Sequence, residues 1–145
     1  MSRASLLDLN VLVALAETGH VHHSRAQRWF DTEREGRWGV CPLTESGFIR
    51  LTTNPGFRPG PRTVGLAITL LQSIRTDPDY WYCGIEKSWV ELTARFARRI
   101  VGHQQITDAY LLGLAIDTGA TLVTFDRAIE QIAGPEFSHL VLVLD

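Results

Sequence analysis

Apolar and polar positions along this chain switch repeatedly between the short period of a strand and the longer period of a helix. An apolar run over 4–9, carrying Asp8, predicts a short buried strand, and 10–16 the helix after it, stopped by Gly19. Helical spacing returns over 22–35, with Ala26, Trp29 and Phe30 on one face, until Gly36 breaks it. Residues 38–41 predict a second strand, and Pro42 opens a helix carrying Glu45, Phe48, Ile49 and Leu51. The stretch 54–61 is the strongest loop signal.

Beyond that loop, 63–74 predicts a helix with Val64, Ala67, Ile68 and Leu71 inward, and 77–79 a turn. The aromatic piece 80–83 predicts a short strand, and 88–100 an amphipathic helix with Trp89, Leu92, Phe96 and Ile100 on its stripe. A helix over 107–118 ends at Gly119, followed by a strand at 122–125 and one or two helical turns. The terminal run 140–144 shows no alternation and predicts a strand buried on both faces. Strands alternating with helices imply a mainly parallel α/β sheet with right-handed crossovers, in a single domain over 1–145.

Bulk composition narrows the class without naming a chemistry. With 45% apolar and 21% charged residues the chain is globular, and at 145 residues it buries roughly two-thirds of its unfolded surface. Its apolar runs fall short of the roughly 20 residues a membrane helix needs. No signal-peptide pattern precedes the first strand, and Cys41 and Cys83 lack metal-ligand spacing, so the expected setting is a reducing cytoplasm. A net charge of −2 argues against a nucleic-acid partner unless several acids gather at one metal site. The base side is thirteen Arg to a single Lys, a bias that favours bidentate phosphate contacts but that genomic base composition also produces.

Four acids change the picture. Asp8, Glu45, Asp108 and Asp126 all sit where an apolar run gives way to a helix. Each alone reads as a helix cap or a first-turn anion. Together they would collect at one sheet edge, where open α/β sheets bind ligands. Ser, Thr or Asn would cap as well, so four unrelated caps need not all be acidic. Crowded carboxylates repel and favour a divalent cation between them; hard oxygen donors select Mg²⁺, or Mn²⁺, over zinc.

The residues that carry these acids resemble the PIN-domain family, and within it the toxin ribonucleases of bacterial VapBC toxin–antitoxin pairs. The likeness rests on Leu6-Leu7-Asp8-Leu9-Asn10-Val11-Leu12 and on Thr44-Glu45-Ser46-Gly47-Phe48-Ile49-Arg50-Leu51 with Thr53-Asn54-Pro55. It continues through Ile106-Thr107-Asp108-Ala109-Tyr110-Leu111-Leu112-Gly113-Leu114-Ala115 and Gly119-Ala120-Thr121-Leu122-Val123-Thr124-Phe125-Asp126. The resemblance implies a three-layer α/β/α fold with a five-stranded parallel sheet and Mg²⁺-dependent endoribonuclease activity. It also implies a cognate antitoxin, an RNA substrate and a homodimer. Carried over by position, Asp8, Glu45, Asp108 and Asp126 are the acidic quartet, with Asp8 and Asp108 the principal metal ligands. Asn10 is a polar support or a helix-start residue, and Thr124 is taken to favour its strand rather than to bind a carboxylate.

Other features weigh less. His20, His22 and His23 lack ligand spacing for zinc and read as solvated or helix-start residues; His103 reads as a loop histidine near the groove. Arg25, Arg28, Arg50, Arg58 and Arg62 are candidates to line an RNA path, the last two foremost, with Trp29 or Trp38 for stacking, although Trp29 fits the core better. Exposed apolar residues of the second and third helices are candidates for an antitoxin or dimer surface. Two alternatives compete: a non-catalytic PIN-like interaction module, and a phosphoryl-transfer domain with Asp8 as nucleophile. The second needs a late lysine, and the phosphatases that share it need an Asp where this chain has Asn10; Lys87 lies in the wrong segment.

Overall fold

The first strand, β1 (Ser5–Leu7), is wholly buried, and its two leucines set the layering of the molecule. The computed structural model describes residues 3–57, 60 and 62–145. Successive side chains of a strand point to opposite faces. Leu6 therefore packs into one apolar cluster and Leu7 into another. Strand β3 (Thr121–Thr124) repeats the division in register, with Leu6 beside Leu122 and Leu7 beside Val123.

On the Leu7 side lie α1 (Leu9–Ala16), α2 (His23–Arg28) with a π turn over Trp29–Glu33, α3 (Pro42–Thr52) and α4 (Val64–Ile74). On the Leu6 side lie α5 (Trp89–Thr93), α6 (Ile106–Thr118) and α7 (Ala128–Phe137). Local signals fix several boundaries. Pro42 stands at the start of α3, the Thr63 hydroxyl accepts from the Leu66 N–H to cap α4, and Gly119 closes α6 at φ 73°. The result is the expected three-layer arrangement.

The sheet is parallel throughout, with order β2-β1-β3-β4, where β2 is Trp38–Gly39 and β4 is Val141–Val143. The chain runs outward from β1 to β2 and then resumes on the other side at β3. The switch point of the topology thus falls between β1 and β3.

The sheet has four strands where five were expected. The piece 80–83 contributes a single parallel bridge, Tyr80 to Trp38. Trp38 N–H donates to Asp79 O at 3.0 Å and Trp81 N–H to Trp38 O at 2.7 Å. Beyond that bridge the Trp81 carbonyl approaches Gly39 so closely that any Cβ there would overlap it. The last strand is an edge, not a doubly covered one: among the described residues no strand pairs beyond β4, and Leu142 is 40% exposed.

The helix expected over 88–100 breaks after Thr93 and resumes as a 3₁₀ turn at Ala97–Arg99. Tertiary contacts outweigh the helical period there. Leu92 is wedged against Gly113 of α6, while Arg99 donates to the Ile132 and Ala133 carbonyls at 2.7 and 2.8 Å. Those carbonyls are freed by a kink in α7 at Gly134 (φ 64°) ahead of Pro135, which divides α7 into two short pieces, the first, over 128–133, being the one or two turns expected. Among the described residues, no helix is long and apolar enough to cross a membrane.

Candidate active site

β1 and β3 deliver two of the four acids to the switch point. Asp8 continues the line of β1, its N–H donating to Val123 O at 2.9 Å, and then opens α1. Its backbone is extended (φ −69°, ψ 157°), and its Oδ1 accepts from the Leu9 N–H at 2.7 Å. Asp8 is therefore a helix cap, 6% exposed. Its other oxygen points across to β3, where the Thr124 hydroxyl donates to Oδ2 at 2.7 Å.

Thr124 is the hub of this edge. Its buried hydroxyl also accepts from the Asp126 N–H at 3.0 Å and from Asn10 Nδ2 at 3.3 Å. One donation and two acceptances use the full capacity of a hydroxyl. Asn10 Oδ1 in turn accepts from the Phe125 N–H at 3.2 Å, so Asn10 is the polar support considered for it. The strand-favouring role preferred for Thr124 gives way to a carboxylate-holding one. The signal that could have found it is its place two residues before Asp126, where a threonine hydroxyl can accept from the backbone N–H two positions on.

Asp126 follows β3 and is exposed, its Oδ1 accepting from the Ala128 N–H at 2.9 Å. Asp108 reaches the same place from another direction, in the first turn of α6. Burial, then the charges of Asp8 and Asp126, push its carboxyl up to about 7. Burial also raises Asp8, against the opposing hydrogen bonds from Thr124 and Leu9 and with a further push from Asp126. The three aspartates thus feel one another's charge. Glu45 stands in the first turn of α3, half-buried, and its charge bears on Tyr80 instead. Its helix packs closely on the start of α1, for a Cβ at Gly47 would lie 3.0 Å from the Leu9 side chain.

The donor set fits a hard divalent cation of the Mg²⁺ kind. Among the described residues, no three His, Cys, Asp or Glu side chains stand close enough to enclose an ion alone. Magnesium needs no such cage, binding through one or two carboxylates and completing its shell with water and phosphate oxygens. Buried, mutually repelling carboxylates with no lysine or arginine among the causes of their shifts supply the electrostatic demand for such an ion.

The residues expected to line an RNA path mostly turn elsewhere. Arg25 and Arg28 pair with Glu33, Arg62 pairs with Glu17, and Arg50 lies beside the Ser46 hydroxyl. Arg58 lies outside the described residues. Trp29 and Trp38 are both buried in the core, closed to stacking. His103 is exposed in a 3₁₀ turn just before α6. His23 approaches the Ala14 carbonyl and His20 accepts from the His22 N–H, so these histidines order the start of α2. Exposed apolar side chains gather not on α2 and α3 but on α4, at Val64, Leu66 and Ile68.

A parallel α/β sheet with an aspartate cluster at the switch point defines the class: an α/β domain with carboxylates gathered at its carboxyl edge. The PIN domain family model matches residues 5–135. Ribonuclease VapC38 of Mycobacterium tuberculosis is 40% identical over 129 residues, 89% of each chain. Ribonuclease VapC44 of the same species is 37% identical over 133 residues, 90% of this chain and 92% of that one. Among solved structures, VapBC2 from Rickettsia felis, bound to a DNA fragment from their promoter, matches the fold with a TM-score of 0.65. It is 11% identical, covering 98% of this chain and 99% of that chain. The chain belongs to the PIN-domain family and, within it, to the VapC ribonucleases.

Proposed function

We propose that this protein is a Mg²⁺-dependent endoribonuclease and the toxin of a toxin–antitoxin pair, held inactive in the cytoplasm by a cognate antitoxin. The single observation that carries the catalytic part is the gathering of Asp8, Asp108 and Asp126 at the switch point, where Thr124 joins Asp8 to the Asp126 backbone and where burial and crowding raise Asp108. The relatives named ribonuclease support RNA as the substrate. Solved toxin–antitoxin complexes of the same fold support the partner.

Asp8 and Asp108 would be the principal holders of the ion, with Asp126 and Glu45 completing the acidic quartet. When bound, Mg²⁺ supplies a Lewis acid that makes water nucleophilic at neutral pH and offsets charge on the phosphate. The chain's own residues do the rest. Thr124 and the Leu9 N–H fix both Asp8 oxygens, so that carboxylate offers its remaining lone pairs in one orientation. Asn10 ties Phe125 and Thr124 to α1, keeping the two strand ends in register. Asp108, raised by burial and by the Asp8 and Asp126 charges, would hold the ion as its carboxylate, with its proton released to solvent.

A covalent role for Asp8 is disfavoured. Both its oxygens accept hydrogen bonds, and Lys87 pairs with Asp117, near the far end of α6. The test is cleavage of total RNA by the purified chain, with ends mapped by sequencing, in Mg²⁺ or in EDTA. Cleavage should require the cation and fall more than about 100-fold in Asp8→Asn, beyond the loss typical of a residue that merely supports a ligand. Cleavage that persists in EDTA, or in Asp8→Asn, overturns the reading.

A further inference from the structure

An exposed imidazole packs against Phe125, the residue between Thr124 and Asp126 at the end of β3. His22 stacks on Phe125, ring centroids 4.5 Å apart and planes 17° from parallel. Phe125 lies between Thr124, which holds Asp8, and Asp126. Its backbone N–H is tied to Asn10, so the ring that backs His22 is anchored to the same network that orders the carboxylates. His22 is itself held: its N–H donates to His20 Nδ1 at 3.0 Å, and the next residue, His23, bonds to the Ala14 carbonyl at 2.7 Å. The His20 ring lies 5.7 Å from that of His22, tilted by 42°.

We infer that His22, backed by Phe125, is the base-stacking platform that positions a nucleotide of the RNA strand beside the reacting phosphate. Single-stranded RNA is gripped by stacking its splayed bases on aromatic or imidazole planes, and such a platform must be rigid, exposed and next to the chemistry. His22 is exposed, its backbone is held, and its ring lies on the residue between Thr124 and Asp126. Trp29, Trp38, Trp89 and Tyr82 each fail one or more of the three conditions. Trp29 and Trp38 are buried. Trp89 is half-buried, with its indole N–H committed to Ile106 O at 3.0 Å. Tyr82 is 59% exposed but shares a depression with Asp117 and Thr118, nine residues along α6 from Asp108 and thus about 13 Å down its axis.

This inference rests on the ribonuclease reading, and the experiment separates the two. A labelled oligoribonucleotide spanning the cleavage site mapped in total RNA is cut in Mg²⁺ by the wild-type chain, His22→Ala, His22→Phe and His22→Lys. Stacking predicts that His22→Ala raises KM about 5- to 100-fold with kcat within about twofold, and that His22→Phe restores most of the loss while His22→Lys does not. Thermal unfolding of the variants should match the wild type, since the replaced ring is exposed. Unchanged kinetics in His22→Ala, or rescue by lysine but not phenylalanine, overturns the stacking role while leaving the ribonuclease reading intact. A wild-type chain that cleaves no RNA in Mg²⁺ overturns both.

Discussion

Replacing Asp108 by asparagine should stabilise the metal-free protein, and should do so only above mildly acidic pH. The ordinary carboxyl value is 3.8, and in the folded chain burial and the Asp8 and Asp126 charges carry Asp108 to about 7. Below about pH 4 both folded and unfolded states hold the proton, and Asp108 costs nothing. Between about 4 and 7 the unfolded chain has lost that proton while the folded one retains it. The folded state then binds more protons than the unfolded, so stability falls as pH rises through this window and levels off above it. At about 1.4 kcal/mol per pH unit the gap corresponds to about 4 kcal/mol. Asp108 is only partly buried, and solvent screening reduces this to roughly 2 kcal/mol.

For a domain of this size, roughly 2 kcal/mol is a Tm difference of about 4–8 °C. The assay is thermal unfolding of wild type and Asp108→Asn in EDTA from pH 4 to 8, followed by circular dichroism. Comparing the two proteins at each pH cancels the titration of every group that does not feel the Asp108 charge. The curves should meet near pH 4 and separate towards pH 8, with the variant the more stable. Adding Mg²⁺ should then reverse the order, because an ion at 100 times its Kd adds about 2.7 kcal/mol to whichever protein binds it. Parallel curves, or a wild type more stable than the variant at pH 8 in EDTA, would refute the crowding of charge at this edge.

Two other substitutions probe the supports of the site. Thr124→Val should destabilise the fold by about 2–3 kcal/mol in urea titrations, because it strips the buried Asp8 of a donor and leaves the Asn10 amide and Asp126 N–H without their acceptor; Thr124→Ser should recover most of the loss. An equal loss in valine and serine would point to the methyl group's packing instead. Gly113→Ala should cost at least about 1–3 kcal/mol, since the new Cβ would overlap the Leu92 carbonyl, its carbon only 2.8 Å away, and wild-type unfolding curves would show that α5 can yield there.

Much of the fold was legible because local chemistry set it. Pro42, Thr63 and Gly119 mark helix ends through their own backbone preferences or hydroxyls, and each does so in the folded chain. The errors fall where distant parts of the chain decide. An apolar run such as Leu140–Leu144 reads alike whether it lies mid-sheet or at an edge, and only the strand order exposes Leu142. The break after Thr93 depends on a glycine of α6 and two carbonyls of α7. Arginines suffer the same blindness. Arg62 reads as free for RNA until the fold brings Glu17, 45 residues earlier, against it. The aspartates were legible from their place at strand and helix ends, whereas the Thr124 hydroxyl that joins Asp8 to β3 requires the register of two strands.

Capping and catalysis are not rival accounts of these acids. A carboxylate has about four lone-pair sites, and Asp8 uses one on each oxygen, for the Leu9 N–H and the Thr124 hydroxyl. The cap fixes the direction in which the remaining lone pairs point, which is what a cation with strict octahedral demands requires. Asp108 differs. Among the described residues no hydrogen bond reaches its carboxyl, so nothing opposes the burial and repulsion that raise it. A support that donated a hydrogen bond to Asp108 would lower it and stabilise the empty fold. It would also weaken the draw on the cation, because part of the ion's stabilisation would already be supplied. If the proposed cation binds here, leaving one carboxylate of the cluster unsupported would couple its binding to relief of that repulsion, and Asp108 would be the residue through which that coupling runs.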